Sequence, residues 1–310
     1  MNLLHINDLH VNFSTKAGQV RVLSGFCLDI EKGSSICLVG ESGCGKTIVA
    51  LSIMRLLPEN AQVSGEIQFK DRDLLILEKE EIRQIRGHEI SMIFEQPASC
   101  LNPVFTVGDQ IAESVRANGL CKKNEARDAA IELMRLTGIP SPKKRFDQYP
   151  HEFSGGMLQR VMISIAMASK PALLIADEPT TSLDVTVQAQ IVELIKDLIT
   201  KFGMSLLLIT HDLGVAAELC RDVAVMYAGE IVESGCLNEV FRHPKHPYTK
   251  ALLRAISDDG LRPIKGSVPE LTNLPEGCWF HPRCPFAEDQ CRLSKPELKN
   301  GIRCHLWKKN

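Results

Sequence analysis

Eight consecutive residues, Gly40-Glu41-Ser42-Gly43-Cys44-Gly45-Lys46-Thr47, satisfy the phosphate-loop pattern G-x-x-x-x-G-K-[ST] at every fixed position. The chemistry this spacing suits is the holding of a string of phosphates. Glycines let backbone N–H groups turn inward around an anion without Cβ clashes. A helix that begins at the end of the loop adds partial positive charge at the same point. Lys46 supplies a full charge for the outer phosphates, the Thr47 hydroxyl a ligand for Mg²⁺, and Ile48 completes the candidate set. Downstream, Asp177-Glu178 closes an apolar run and His211-Asp212 closes another. Asp177 suits Mg²⁺ through oxygen ligands. Glu178 is placed to orient or deprotonate a water, and His211 to reach a terminal phosphate. Ser154-Gly155-Gly156 offers a second anion site: a serine N-cap with two glycines exposing N–H groups at a helix start.

These residues need elements to position them. Ser35–Val39 reads as a buried strand leading into the loop, and 48–57, with Val49, Ile53 and Leu56 at helical spacing, as the helix after it. Leu3–Val11 and Val20–Ile30 alternate apolar and polar, as strands of an antiparallel edge layer turning at Ala17-Gly18-Gln19. Phe13 lies in that layer; stacking on a purine base and ordinary half-buried packing are both open to it. Further strands are expected at Ser64–Lys70, Glu89–Phe94, Leu173–Glu178 and Ser205–Thr210, with a hairpin at Asp222–Tyr227 and Glu230–Ser234. Helices are expected at Glu80–Arg86, Val107–Arg116, Asn124–Leu136, Met157–Ser169 and Thr186–Phe202. Two prolines and an asparagine argue against regular structure in Glu95–Pro103, and Ser141–Arg145 reads as a basic linker.

The 310 residues are 44% hydrophobic, enough for a core, and the formal net charge of −2 gives no basic field for nucleic acid or an anionic membrane. No apolar run approaches the roughly 20 residues that span a bilayer, and Met1–Asp8 lacks the pattern of a secretion signal. Seven of the eleven cysteines are scattered through the first 236 residues, as expected of free thiols in a reducing cytoplasm.

Taken together, the Gly40–Thr47 loop, Phe153-Ser154-Gly155-Gly156-Met157, the Leu173–Glu178 strand, Ser182-Leu183-Asp184 and His211 follow the order and spacing of an ATP-binding-cassette ATPase. The resemblance covers roughly Leu3 to Gly235 and implies an α/β phosphate-loop NTPase core with an antiparallel β edge layer and a helical subdomain. It implies ATP and Mg²⁺ as ligands, with Lys46, Glu178 and His211 catalytic and Asp177 supporting the metal. In such proteins two cassettes pair head to tail. Ser154, Gly155, Gly156 and Met157 then reach the partner's nucleotide, and Ser182–Asp184 lies at the junction. Two positions depart from the family pattern: Met157 stands where glutamine is usual, and Glu95 where the loop glutamine aligns, with Gln96 displaced by one. Glu95 is a better Mg²⁺ ligand than an amide, but repels a terminal phosphate by on the order of 3 kcal/mol at about 5 Å and an effective dielectric of about 20.

Phe241–Leu253 closely resembles the segment that follows the cassette in importers of oligopeptides, dipeptides and nickel. His243 and His246, each before a proline, read as packing and linker residues. The expected division is a nucleotide-binding domain at 1–253, its helical subdomain at about 97–160, and a small Cys-rich C-terminal extension at 254–310. In the extension Cys278, Cys284, Cys291 and Cys304 follow a spacing that fits neither a ferredoxin nor a paired C-x₂-C zinc site. A [4Fe–4S] cluster, which the resemblance favours, Zn²⁺ with His281 or His305 as stand-in ligands, unligated thiols, and two disulfides, which a reducing cytoplasm disfavours, all stay open. The resemblance further implies a second cassette from an identical or related chain, two membrane permease subunits, an extracytoplasmic solute-binding protein acting indirectly, and a place on the cytoplasmic face of a bacterial membrane. The rival expectations are a soluble cassette protein that remodels nucleic acid or ribosomes, and a redox regulator that binds ATP without turnover.

Overall fold

The computed structural model describes residues 2–15, 18–117, 119, 125–256 and 264–307. Its strands, in chain order, are β1 Asn2–Thr15, β2 Gly18–Glu31, β3 Ser35–Val39, β4 Ala61–Phe69, β5 Arg72–Asp73, β6 Ile90–Ile93, β7 Leu173–Asp177, β8 Ser205–Ile209, β9 Asp222–Tyr227 and β10 Glu230–Cys236. They and the helices form two compact units.

One unit comprises residues 31–34 and 76–209. Its β6, β7 and β8 are parallel, paired from Ile90↔Leu173 to Ile93↔Ala176 and from Leu173↔Ser205 to Asp177↔Ile209. Every residue of the three is buried, which explains why they read as unbroken apolar runs rather than alternating ones. The buried serine of β8 is satisfied: the Ser205 hydroxyl donates to the Glu31 carbonyl at 3.2 Å and accepts from the Gly33 N–H at 2.8 Å. Helices Val107–Ala117, Ala126–Leu136 and Gly155–Ala166 close on Val107, Ile111, Met134, Phe146 and Val161, each fully or nearly fully buried. Burial at about 1.5–3 kcal/mol per large apolar side chain holds this helical layer together. The first of these helices is capped by Thr106, whose hydroxyl accepts from the Asp109 N–H at 3.1 Å.

Two expectations are corrected here. Pro97–Cys100 is a helical turn inside the stretch expected to be irregular, and Pro142–Arg145 is another inside the supposed basic linker. Each begins with its proline, and proline at the first helical position sacrifices no hydrogen bond and has a suitable φ. Helix boundaries also move: the helix after the loop is Lys46–Ile53 and the one after Ser154 is Gly155–Ala166, both shorter at the C-terminal end than periodicity suggests. Asn124 and Ala17, which bound an expected helix and turn, lie outside the described residues.

The second unit comprises Asn2–Ile30, Ser35–Leu75 and the described residues from Thr210 onward. Here β1 lies between β2 and β4, with β5 beyond β4. β1 runs antiparallel to β4 from Leu4↔Phe69 to Phe13↔Ala61, with a register shift between Asn7 and His10 where Asp8 takes φ 47°. β3 is parallel to β9, and β9 turns through Ala228-Gly229, both at positive φ, into antiparallel β10. The described residues from 264 onward have little regular structure: a 3₁₀ turn His281–Arg283 and a helix Asp289–Leu293. They are fastened to β10 instead. The Ser234 N–H donates to the Gly301 carbonyl at 2.7 Å, the Arg303 N–H to the Val232 carbonyl at 2.9 Å, and Lys295 pairs with the buried Glu230 at 2.7 Å. Burial pushes the Glu230 carboxyl up from its usual range; Arg303 and Lys295 oppose that.

His246 anchors the link before the helix Pro247–Ile256. It is 1% exposed, its ring Nδ1 accepts from the Tyr248 N–H at 3.0 Å, and its own N–H donates to Glu233 at 2.9 Å. Burial lowers its pKa from 6.5 to about 3, so the folded chain keeps the ring neutral. The unfolded chain takes up that proton as pH falls through 6.5. The contribution to stability is therefore whole above pH 6.5 and lost between 6.5 and about 3. Between pH 7 and pH 5 the unfolding free energy from denaturant melts is expected to fall by about 2 kcal/mol on this account. His246→Gln should flatten that slope, and an unchanged slope contradicts the assignment.

Candidate functional site

The residues singled out in the sequence divide between the two units. In the second unit, β3 ends at Val39 and the chain enters the glycine-rich loop. Gly40 packs so closely that a Cβ there would sit 2.2 Å from the Met226 carbonyl oxygen. Gly43 and Gly45 take φ of 80° and 103°, a left-handed backbone that favours glycine. With Gly45 as N-cap, the helix Lys46–Ile53 starts at once. Lys46 is buried, and its ammonium donates to the Gly40 carbonyl at 2.8 Å and the Glu41 carbonyl at 3.1 Å, which hold it inside the loop. The Cys44 thiol beside it is pushed up chiefly by burial. Thr47 is exposed at the helix start, and Ile48 is half-buried behind it.

Glu41 is held at both its side chain and its backbone. Its carboxylate takes a two-pronged contact from Arg283, at 2.7 Å and 3.0 Å, and its N–H donates to the Tyr248 hydroxyl at 2.9 Å. Nothing local in the sequence announces Arg283 or Tyr248, 242 and 207 residues away from Glu41. The only available signal was proximity of Arg283 to the cysteine pattern. His211, exposed, joins Gly40, Glu41 and Ser42 around a cavity of about 350 Å³, with Leu213 and Leu252 as apolar wall. Asp212 caps the helix Leu213–Leu219 by accepting from the Gly214 and Val215 N–H groups. Phe13 sits half-buried on β1 opposite Ala61.

In the first unit, β7 delivers Asp177 to its C-terminal end, where the carboxylate is buried at 2% exposure. Glu178 follows at φ 47°, a conformation that costs a non-glycine residue about 1 kcal/mol or more and that the fold imposes through its N–H, bonded to the Ile209 carbonyl at 2.8 Å. The Thr181 hydroxyl donates to its Oε2 at 3.2 Å, which fixes the carboxylate. Ser154 is the N-cap of Gly155–Ala166, but its side chain makes no capping bond; Asp184 does cap, accepting from the Val187 N–H at 3.0 Å. Glu95, Gln96, Ser99, Gly155 and Ser182 meet around one groove of about 320 Å³. Gln159, missed in the sequence, also lines it; its side-chain amide nitrogen is buried with no hydrogen-bond partner among the described residues.

For a phosphate string with Mg²⁺ the donor set fits: a cradle closed to side chains at Gly40, left-handed glycines, a helix start and a buried ammonium. The four-cysteine expectation fares differently. Among the described residues no group of three or more His, Cys, Asp or Glu side chains is arranged to hold a metal ion. Cys278, Cys284, Cys291 and Cys304 are free thiols, and burial pushes Cys278 (to about 12), Cys284 and Cys304 up, with neighbouring cysteines adding to the effect. The thiols therefore share a neighbourhood without forming a ligand set among the described residues.

A family model for ABC transporters matches residues 11–181, and one for the oligopeptide/dipeptide transporter C-terminal region matches 232–291. The oligopeptide transport ATP-binding protein AppD of Bacillus subtilis is 47% identical, over 98% of this chain and 97% of its own. The dipeptide transport ATP-binding protein DppD of Haemophilus influenzae is 45% identical, over 98% and 96%. Among solved structures, the dimeric ATP-binding cassette MJ0796, seen with ADP and Pi, superposes with a TM-score of 0.68 at 24% identity, covering 76% of this chain and 98% of that one. That likeness concerns the fold.

Proposed function

This chain belongs to the ABC transporter ATP-binding family, and from that premise we propose that it binds and hydrolyses ATP to energise a bacterial importer of peptides. The observation that carries the reading is a phosphate loop of fitting geometry in a chain that also matches a peptide-transporter C-terminal region over 232–291. In the proposed mechanism the amides of Gly40–Ile48 and the Lys46 ammonium bind and orient the triphosphate. Mg²⁺, when bound, would supply neutralisation of the outer phosphate charge; by the family resemblance Thr47 and Asp177 would hold it, and Glu95 or Gln96 is a further candidate ligand. The Glu178 carboxylate takes a proton from the attacking water, Thr181 keeps that carboxylate in place, and His211 faces the terminal phosphate. Catalysis of this kind is positioning and charge neutralisation.

The chain has one set of these motifs, so the proposal includes a second cassette, with Ser154–Met157 and Ser182–Asp184 at the junction, and two membrane permease subunits. No helix among the described residues is long and apolar enough to cross a membrane, which suits a subunit seated on the cytoplasmic face. The proposed division is a nucleotide-binding domain at 1–253 and an extension at 254–310. A soluble remodelling ATPase is disfavoured, because the relatives are named as transport proteins along nearly their whole length. The finer proposal of a [4Fe–4S] cluster, with Zn²⁺ as its alternative, rests on the family resemblance and the shared neighbourhood of the four thiols alone, and no step of the mechanism uses it. Iron and zinc analysis of anaerobically purified protein decides it.

The functional test is purification from the native membrane. The expected result is ATPase activity that co-purifies with integral membrane subunits, and loss of peptide uptake when the chain is deleted. Co-purification with ribosomes or DNA overturns the reading. Within it, Glu95→Gln is expected to keep or raise the ATPase rate, since it removes a negative charge from the phosphate side. A hundredfold loss would make Glu95 itself a working ligand.

A further inference from the structure

The contact between Glu41 and Arg283 is more than a surface ion pair. Arg283 is only 4% exposed and Glu41 26%, and the two planar groups meet in the fork-to-fork geometry that gives arginine its strongest carboxylate pairing. The guanidinium has its remaining donors in use as well. Nε donates to the Lys265 carbonyl at 3.1 Å, Nη2 also to the Ile264 carbonyl, and Nη1 also to the Tyr227 hydroxyl. Its orientation is thus dictated by the extension that carries it. Phe280, three residues before it, packs edge-on against Tyr227 and Tyr248, with ring centroids 5.2 Å and 5.4 Å away. Tyr248 in turn receives the Glu41 N–H. The second residue of the phosphate loop is therefore gripped at both its backbone and its side chain, and its carbonyl is one of the two that hold Lys46.

We propose that Arg283 is a positioning residue for the nucleotide: it neutralises Glu41 and turns it away from the phosphates, so the C-terminal extension sets the affinity of the loop for ATP. The argument is electrostatic and geometric. A carboxylate beside the first loop glycine repels a triphosphate unless a cation compensates it, and a buried pair is screened far less than an exposed one. Only an arginine can hold both carboxylate oxygens while reaching three other acceptors; lysine offers a point charge without the fork.

This inference rests on the ATP-binding reading, and the test separates the two. Mg-ATP dissociation constants and steady-state kinetics are measured on the full chain and on Arg283→Gln, Arg283→Lys, and the double variant Arg283→Gln with Glu41→Gln. Arg283→Gln is expected to weaken ATP binding and raise KM at least fivefold with kcat changed less than twofold. Arg283→Lys should fall between it and the natural chain. In the double variant the repelling charge is gone, and most of the lost affinity returns. A residue that merely braced the fold would lower the melting temperature without moving the dissociation constant, and neutralising Glu41 would restore nothing. If Arg283→Gln does not fold, Arg283→Lys carries the test: a dissociation constant within 1.5-fold of the natural chain overturns the proposal. A natural chain that binds ATP alongside an unaltered Arg283→Gln overturns this inference alone, whereas a natural chain that binds no ATP overturns both.

Discussion

Glu178→Gln is expected to lower the steady-state ATPase rate by about 10³-fold while ATP binding is retained or tightened. General-base contributions of this kind are typically 10²–10⁴-fold. The amide keeps the shape of the carboxylate and its contact with the Thr181 hydroxyl, so the loop geometry at the end of β7 has no reason to change. What it loses is the capacity to take a proton and one negative charge. Losing the charge removes a repulsion toward the outer phosphates, which is why binding does not suffer. Single-turnover hydrolysis and nucleotide affinity measured on one preparation check both halves. A rate within tenfold of the natural chain would mean that another group activates the water.

Lys46→Ala is expected to weaken Mg-ATP binding by about 100-fold, close to 3 kcal/mol, the scale of charge-assisted hydrogen bonds to phosphate in a buried site. The ammonium is buried and held by the Gly40 and Glu41 carbonyls, so removing it also takes a donor from each, although the Glu41 oxygen keeps the Cys44 N–H at 3.3 Å. Some loss of stability should accompany the loss of affinity. Competition against a fluorescent nucleotide gives the first and thermal melting the second. Affinity within fivefold of the natural chain would remove Lys46 from the site.

How much of this was legible in the chain depends on how local each feature is. The phosphate loop is written in eight adjacent residues, and the strand and helix beside it follow from an apolar run and a helical repeat. The same holds for β7 with its terminal acids and for the β9–β10 hairpin, whose turn Ala228-Gly229 is found where the residues place it. The misreadings came from proline. At Pro97 and Pro142 it starts a helical turn, yet within a loop-like composition it reads as a breaker. What the sequence does not reveal is long-range. The grip of Arg283 and Tyr248 on Glu41 depends on the extension folding back, and no spacing rule predicts it. Glu178 was singled out from its place after four apolar residues, but its left-handed backbone follows from the bond to Ile209 on the neighbouring strand. The four cysteines show the converse: a regular-looking pattern in the sequence that does not form a ligand set among the described residues.

The central claim is that a nucleoside triphosphate rests on the loop Gly40–Thr47. Calorimetric titration of the purified chain with Mg-ATP tests it most directly. The account predicts a saturable heat with one site per chain. A folded, monodisperse sample that releases no heat with millimolar Mg-ATP would contradict it.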